Sequence, residues 1–330
     1  MGRCGYRDPV TFTVVLAEHL DPDQVDVVLD LARRASDVDE SYPLSEHVVL
    51  HLRHGGESPA AHLLARDADG GALVGYAHLD VTDQVAGASA ELVVDPRWRR
   101  RGIGRELVEA ALVAAGESDP RGRLRLWAHG DHPDAAALAG GLGFARMRLL
   151  WQLRRSLFAP VDAPVFAEGV RVRAFRPGED DAAWLALNAA AFADHPEQGG
   201  WTAAELRARM AESWFDPAGF LLAERVADGA LLGFHWTKVH GDRPVRPSDG
   251  AAHAHEPIGE VYVLGVSPTA HGQGLGRALT LAGLRHLRER GLDQAMLYVD
   301  ESNAAAMALY LGLGFARWSI DVSYARATTG

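Results

Sequence analysis

The stretch EVYVLGVSPTAHGQGLGRAL, residues 260–279, runs from an apolar β-rich segment through a glycine-punctuated turn into a helical pattern. The first turn of a helix leaves backbone N–H groups unpaired and carries partial positive charge, which suits a phosphate. Gly272, Gly274 and Gly276 let such a ligand approach the backbone without interference from Cβ atoms. A lone G-x-G is weak evidence, because a plain strand-to-helix turn has the same glycines. What gives it weight is a second copy far upstream: ELVVDPRWRRRGIGREL, residues 91–107, has the same layout.

The two segments hold one register. Val94, Pro96, Gly102 and Gly104 recur as Val266, Pro268, Gly274 and Gly276, each 172 residues later, and LAGGLGF (138–144) recurs as LYLGLGF (309–315) 171 later. Two motifs in step over that distance indicate a tandem repeat of whole domains. The expected division is 1–155 for copy one, a linker at 156–169 with two prolines, and 170–330 for copy two. Each copy reads as a helical region (PDQVDVVLDLARRA; DDAAWLALNAAAFA), two strands, the framing strand with its turn and helix, another strand, a small-residue helix and a last strand. That order predicts an α/β (α+β) fold with a mixed, mostly antiparallel sheet flanked by helices in each domain.

Composition narrows the partners. Acidic residues exceed basic ones by 44 to 33 in 330 residues, a net charge of −11, which opposes a general nucleic-acid footprint. RWRRR (97–101) is the one conspicuous basic run, and a solvated surface cluster is its plain alternative. No apolar run approaches the roughly 18 residues of a membrane span. The start lacks the apolar core of a signal peptide, so a soluble, monomeric, cytoplasmic protein is expected. A single cysteine, Cys4, excludes an internal disulfide framework or a cysteine-built metal site. The histidines of AAHAHE (251–256) read as a solvent loop, so no metal is expected. A dinucleotide site is unsupported because no strand opens into G-x-G-x-x-G with an acidic residue about 20 positions on.

The order strand, G-x-G turn, helix, strand, Asn-bearing helix, Gly-Phe resembles the GCN5-related N-acetyltransferase (GNAT) family, whose turn reads Gln/Arg-x-x-Gly-x-Gly/Ala. Arg99 to Gly104 meets that pattern, while His271 to Gly276 has histidine in the first place. NAAAMALYLGLGF (303–315) is similar to the family's Asn…Tyr…Gly-Phe segment. The resemblance implies acetyl-CoA as cosubstrate, held by Leu264, Gly265 and Val266 of the strand and by His271, Gly272, Gln273, Gly274, Leu275, Gly276 and Arg277 of the turn. Asn303, Ala304, Ala305, Ala306, Met307 and Ala308 of the later helix complete that implied set. In copy one the counterparts are Leu92, Val93, Val94, Arg100, Arg101, Gly102, Ile103, Gly104 and Arg105.

HPEQGGWT (195–202), GFHWTKVH (233–240) and GEVYVLGV (259–266) narrow the likeness to an actinobacterial tandem branch of the family. That branch acetylates the cysteinyl amine of cysteinyl-glucosaminyl-inositol. This likeness implies Glu46, Glu197, Lys238, Glu260 and Tyr298 as contacts for a small cationic, hydroxyl-rich amine. Other acceptors such as an aminoglycoside, or a nonenzymatic acyl-CoA sensor, remain as alternatives.

Acyl transfer to an ammonium needs a proton removed before attack, which gives Glu260 a task as base. Tyr310 is placed to protonate the departing thiolate, and backbone N–H groups of 264–266 to polarise the thioester carbonyl. Strand alternation puts Glu260 on one face with Tyr262 and Leu264, subject to a bulge at Gly265. In the repeat register Glu260 falls on Ala88 and Tyr310 on Ala139, while Glu91 falls on Val263 and is expected to point elsewhere. Copy one is therefore expected to bind CoA or act as scaffold, and copy two to catalyse.

Overall fold

The computed structural model describes residues 12–55, 60–69, 71–83, 86–119, 121–193, 196–241 and 257–326. Its chain order is β1 (Phe12–Ala17), α1 (Pro22–Asp39), α2 (Glu46–His54), β2 (Ala60–Asp67), β3 (Leu73–Asp80), β4 (Ala88–Val94), α3 (Ile103–Ser118), β5 (Leu124–Ala128), α4 (Pro133–Gly141) and β6 (Phe144–Ser156). The second copy continues with β7 (Val170–Ala174), α5 (Asp181–Ala191), α6 (Pro196–Gly199), α7 (Ala203–Met210), β8 (Phe220–Arg225), β9 (Leu231–His240), β10 (Ile258–Val266), α8 (Leu275–Glu289), β11 (Gln294–Asp300), α9 (Ala304–Gly312) and β12 (Ala316–Arg326). The short strands β1 and β7 precede the helical regions that the sequence pattern makes first, and α2 is a second helix in that region.

Two compact units result, residues 1–150 with 319–330, and residues 151–318. In the first, the strand order is β1-β2-β3-β4-β5-β12; in the second it is β7-β8-β9-β10-β11-β6. Neighbours from β1 to β4 and from β7 to β10 are antiparallel, whereas β4–β5 and β10–β11 are parallel. The sequence copies and the units differ at both ends for one reason. The last strand of copy two, β12, pairs with β5 of copy one from Val322↔Ala128 to Ala325↔Arg125, and β6 neighbours β11. Boundaries at 155 and 330 thus describe the repeat and not the packed units. The 156–169 segment also does more than connect, since Leu157 and Val161 are buried in the core of the second unit.

Each sheet carries a core on both faces. In the first unit Ile103, Leu107 and Val108 of α3 pack on Leu63, Val74 and Leu79, while Val28, Leu31 and Ala35 of α1 cover Leu64, Tyr76 and Val93. Helix α1 starts on a capping box in which Asp21 and Gln24 bond each other's backbone. In the second unit Leu281, Leu284 and Leu287 of α8 pack on Val261, Leu297 and Val299. Its opposite face is aromatic: Trp184 and Leu206 lie against Phe220, Phe234, Trp236 and Val263. Among the described residues no helix is long and apolar enough to cross a membrane.

Candidate active site

The second unit's site begins with a defect in β10. Its register against β9 runs Glu260↔Lys238 and Val261↔Thr237, then shifts to Val263↔Trp236, leaving Tyr262 as the extra residue. A bulge of this kind sends two successive side chains to one face. Before it, Gly259 and Val261 face α8: a Cβ on Gly259 would sit 2.8 Å from Leu287. After it, Leu264 and Val266 face α8, packed with Leu275 and Leu279, while Val263 joins the aromatic face. Glu260 and Tyr262 therefore share the aromatic face, and Leu264 does not. The expected alternation fails because the bulge lies at Tyr262 and not at Gly265.

Parallel pairing with β11 covers Gly259↔Ala295 and Glu260↔Met296 and goes no further. Past Glu260 the strand keeps its pairing to β9, where Leu264, Gly265 and Val266 oppose His235, Phe234 and Gly233, while its pairing to β11 has ended. Glu260 itself is buried at 6% exposure, with Oε2 2.5 Å from His240 Nε2. Burial pushes its carboxyl pKa up, but His240 and Lys238 together hold it below the usual value.

Around Glu260 the same face collects cations and rings. Lys238 Nζ lies 4.7 Å over the Trp214 ring and 5.2 Å over Tyr262. Arg209 of α7 donates from Nε to the Tyr262 hydroxyl at 2.8 Å and stacks 3.7 Å from the Trp201 ring centre. On β11, Ala295, Leu297 and Val299 belong to the α8-side core, so Met296 and Tyr298 alternate onto Glu260's face. The Tyr298 hydroxyl accepts from Gln152 Nε2 at 2.8 Å. The fold thus places Lys238, Glu260 and Tyr298 on one face. Glu197 lies in α6, and its side chain falls outside the described residues. Glu46 belongs to the first unit, at the first position of α2 after the cap Ser45. The AAHAHE stretch also lies outside the described residues, among which no group of three or more metal-ligating side chains is arranged to hold an ion.

The turn has the geometry that an anion needs. Gly272 (φ 75°) and Gly274 (φ 74°) occupy the left-handed region, and Gly274 caps α8 without any side-chain cap bond. Gly276 is already helical and lies at ordinary contact distance from Val266 and Leu309, so its glycine is not demanded by φ. Copy one repeats the conformation at Arg100 (φ 63°) and Gly102 (φ 90°). The arginine accepts a strain of about 1–2 kcal/mol. The first position of the motif is an anchor: His271 Nε2 bonds the Val266 carbonyl at 3.0 Å, and Arg99 Nε donates to the Val94 carbonyl at 3.3 Å. Histidine replaces arginine there because both reach the same carbonyl. Arg99 spends the rest of its guanidinium on Asp39, at 2.6 and 2.7 Å, and not on the turn. The Asn303 carboxamide caps α9 by accepting from Ala306 N–H at 3.0 Å. Tyr310 is buried on the α8 side, edge-on to Phe315, and burial pushes its phenol pKa up, keeping it a donor.

The corresponding ladder of copy one has no bulge: β3–β4 runs unbroken from Gly75↔Val94 to Asp80↔Ser89. Its parallel pairs Ala88↔Leu124 and Ser89↔Arg125 correspond to Gly259↔Ala295 and Glu260↔Met296. Glu260 therefore stands where Ser89 does, one place from the ungapped alignment, and the bulged residue is the difference. Glu91 still falls on Val263, but beyond the bulge that position is on Glu260's face and does not point elsewhere. Ala88 and Ala90 pack toward α3 and Val93 toward α1, so Glu91 lies on the face equivalent to Glu260's. There it accepts the Ser45 N–H at 2.5 Å and contacts His129 Nε2 at 3.4 Å, while His129 Nδ1 lies 2.9 Å from Asp321. Burial depresses the His129 pKa, but the two carboxylates raise it to about 10 overall.

Sequence reasoning missed His240, Arg209, Trp214 and the Glu91–His129–Asp321 group. His240 was within reach, because alternation along GFHWTKVH puts it on one face with Lys238. The others depend on α7 and on the exchange of β12, which leave no local pattern.

The site and fold define a tandem acyltransferase. The acetyltransferase (GNAT) family's sequence profile matches residues 27–144 and 184–315. The chain belongs to that family and is an acetyl-CoA-dependent N-acetyltransferase. It is 59% identical to the mycothiol acetyltransferase of Salinispora arenicola (strain CNS-205), covering 97% of this chain and 99% of that one. The mycothiol acetyltransferase of Acidothermus cellulolyticus (strain ATCC 43068 / DSM 8971 / 11B) is 58% identical over 92% and 91% of the two chains. Among solved structures, a tandem GNAT protein from the clavulanic acid biosynthesis pathway shares the fold with a TM-score of 0.70 at 22% identity, covering 97% of this chain and 99% of that one.

Proposed function

We propose that this chain acetylates the cysteinyl amine of cysteinyl-glucosaminyl-inositol by direct attack in a ternary complex. The observation that carries the mechanism is the buried Glu260 carboxylate, delivered by the bulge to the face that also holds Lys238 and Tyr298. The names of the similar proteins support the acceptor, since both are mycothiol acetyltransferases.

Glu260 takes a proton from the acceptor ammonium, whose reference pKa of about 8 demands only a modest base. The freed amine attacks the thioester carbonyl, whose oxygen receives backbone N–H groups from 264–266. Tyr310 donates its phenolic proton to the departing CoA thiolate. The turn fits the pyrophosphate of acetyl-CoA: two left-handed glycines and an α8 N-terminus without a side-chain cap leave backbone N–H groups for it. Lys238, Tyr298 and Glu197 serve the hydroxyls and the charge of the acceptor. The first unit binds CoA through the Arg100–Arg105 turn without transferring its acetyl group.

The test is mass spectrometry of the protein incubated with acetyl-CoA and cysteinyl-glucosaminyl-inositol, beside aminoglycosides and other amines. Acetylation of the cysteinyl amine with the highest initial rate is expected. Faster turnover of another amine would reassign the acceptor.

A further inference from the structure

The Glu260 carboxylate is held by a residue with no part in the reaction outlined above. His240 ends β9 and lies two residues beyond Lys238, the direct cross-strand partner of Glu260. Alternation puts Lys238 and His240 on one face, so His240 reaches Glu260 along the diagonal of the ladder. Its Nε2 is 2.5 Å from Glu260 Oε2. The two ends of this contact have different environments: the His240 side chain is 34% exposed and that of Glu260 is 8% exposed.

A buried carboxylate has two needs that this contact meets. The terminal torsion of glutamate is broad and roughly two-fold, so without a partner the oxygens are poorly placed. Ionisation away from water is costly unless a donor or positive charge compensates it. We propose that His240 is a positioning residue for acetyl transfer. Its Nε2–H holds Glu260 Oε2, directs Oε1 at the acceptor ammonium and keeps the carboxylate ionised. This rests on the assignment of Glu260 as the base.

Among the described residues, the other titratable or charged groups toward Glu260 are Lys238 on β9, Tyr262 on β10, Tyr298 on β11, and Arg209 of α7 through the Tyr262 hydroxyl. Lys238 supplies a positive charge opposite Glu260, which leaves the carboxylate partly compensated when His240 is removed. The loss on removing His240 is therefore graded and not complete.

Single-turnover acetyl transfer at saturating acetyl-CoA, followed against pH, tests the proposal in wild type, His240→Phe, His240→Gln, Glu260→Gln and the double variant His240→Phe/Glu260→Gln. His240→Phe should lower the plateau rate about tenfold, the scale of a lost hydrogen bond to a charged group. It should also move the acid limb to higher pH, because Glu260 loses an influence that holds its pKa down. His240→Gln keeps an N–H donor and removes the imidazole's electrostatic influence on Glu260, so it should recover most of the plateau while the limb stays displaced. Acetyl-CoA affinity by calorimetry should be unchanged in both. In the Glu260→Gln background, His240→Phe should have no further effect.

A wild-type rate and limb in His240→Phe, or an additive loss in the double variant, overturns the proposal while Glu260 stands as base. A wild-type rate in Glu260→Gln removes the base assignment itself, and this proposal with it. Should His240→Phe fail to fold by circular dichroism, the limb of His240→Gln decides: displaced supports the proposal, undisplaced overturns it.

Discussion

Glu91 and Glu260 are buried carboxylates on equivalent strands, on equivalent faces, each against a histidine, and the proposed mechanism gives them opposite uses. Glu91 is enclosed. It takes the Ser45 N–H and lies against His129, which is itself bonded to Asp321, so the group is an ion triad joining β4, the end of β5 and β12. Burial raises the Glu91 pKa, while His129 and Ser45 hold it low overall. Glu260, on a strand whose pairing to β11 ends at that residue, contacts the half-exposed His240. A buried carboxylate beside a histidine is common to both units; what differs is the set of partners around it.

The sharpest test of this contrast is Glu260→Gln beside Glu91→Gln. Glu260→Gln should bind acetyl-CoA normally and lose roughly 10²–10⁴-fold in single-turnover rate, the range for a general base, most severely at low pH where the amine is protonated. Glu91→Gln should keep its rate per folded molecule and lose thermal stability. Equal rate losses in the two variants would break the comparison.

Tyr310 has no phenol counterpart, since Ala139 stands at its place in α4. Tyr310→Phe keeps the ring that packs on Phe315 and removes the hydroxyl. A rate loss of about tenfold to a hundredfold is expected, the scale of one hydrogen bond to a developing charge. The loss should shrink with an acyl donor whose thiol has a lower pKa. Wild-type single-turnover rates on both donors would leave Tyr310 as packing alone.

Much of this was legible in the sequence, and the failures have physical causes. Strand, glycine turn and helix were visible twice because the left-handed φ of Gly102 and Gly274 restricts which residues fit there. Glu260 and Tyr310 were visible because the copies differ at those places. The register at Glu260 slipped by one because a bulge inserts a residue without marking it: Val261, Tyr262 and Val263 look like regular strand. Glu91 was set aside for the same reason. The exchange of β12 was not legible at all, because a final strand has the same pattern whichever sheet it joins. That exchange brings Asp321 to His129.

The two turns allow a smaller, more selective perturbation. A Cβ on Gly102 or Gly274 would meet nothing within 4 Å, so alanine there acts through φ alone. The strain is about 1–2 kcal/mol, corresponding to roughly tenfold weaker acetyl-CoA binding at the altered turn. Calorimetry should show Gly274→Ala weakening the site that supports turnover. Gly102→Ala should weaken a second binding event and spare turnover. A Gly102→Ala variant that slows turnover as much as Gly274→Ala would show that the first unit is not a separate site.

The smallest effects are in the pH dependence of stability, and they separate the units by sign. His235 in the second unit is buried with its pKa depressed to about 4, burial outweighing its bond to the Leu279 carbonyl. In the first unit burial depresses His62 to about 4 and His78 to about 3. Unfolded histidine titrates near 6.5, so between about 6.5 and 4 the unfolded state binds more protons. Both units should lose stability as pH falls through that window. His129 has the reverse sign: its folded pKa of about 10 lies above the unfolded value. Its contribution is full below about 6.5 and fades as pH rises toward 10, by at most about tenfold in the folding equilibrium per pH unit. Hydrogen exchange read by mass spectrometry from pH 5 to 10, corrected for intrinsic exchange rates, should show alkaline loosening in peptides of β4, β5 and β12 but not in those of β9 and α8. His129→Gln should lower the first unit's protection near neutral pH and flatten its alkaline decline. An unchanged slope in that variant, or matching alkaline loosening in the second unit, would mean that the His129 charge does not set the difference between Glu91 and Glu260.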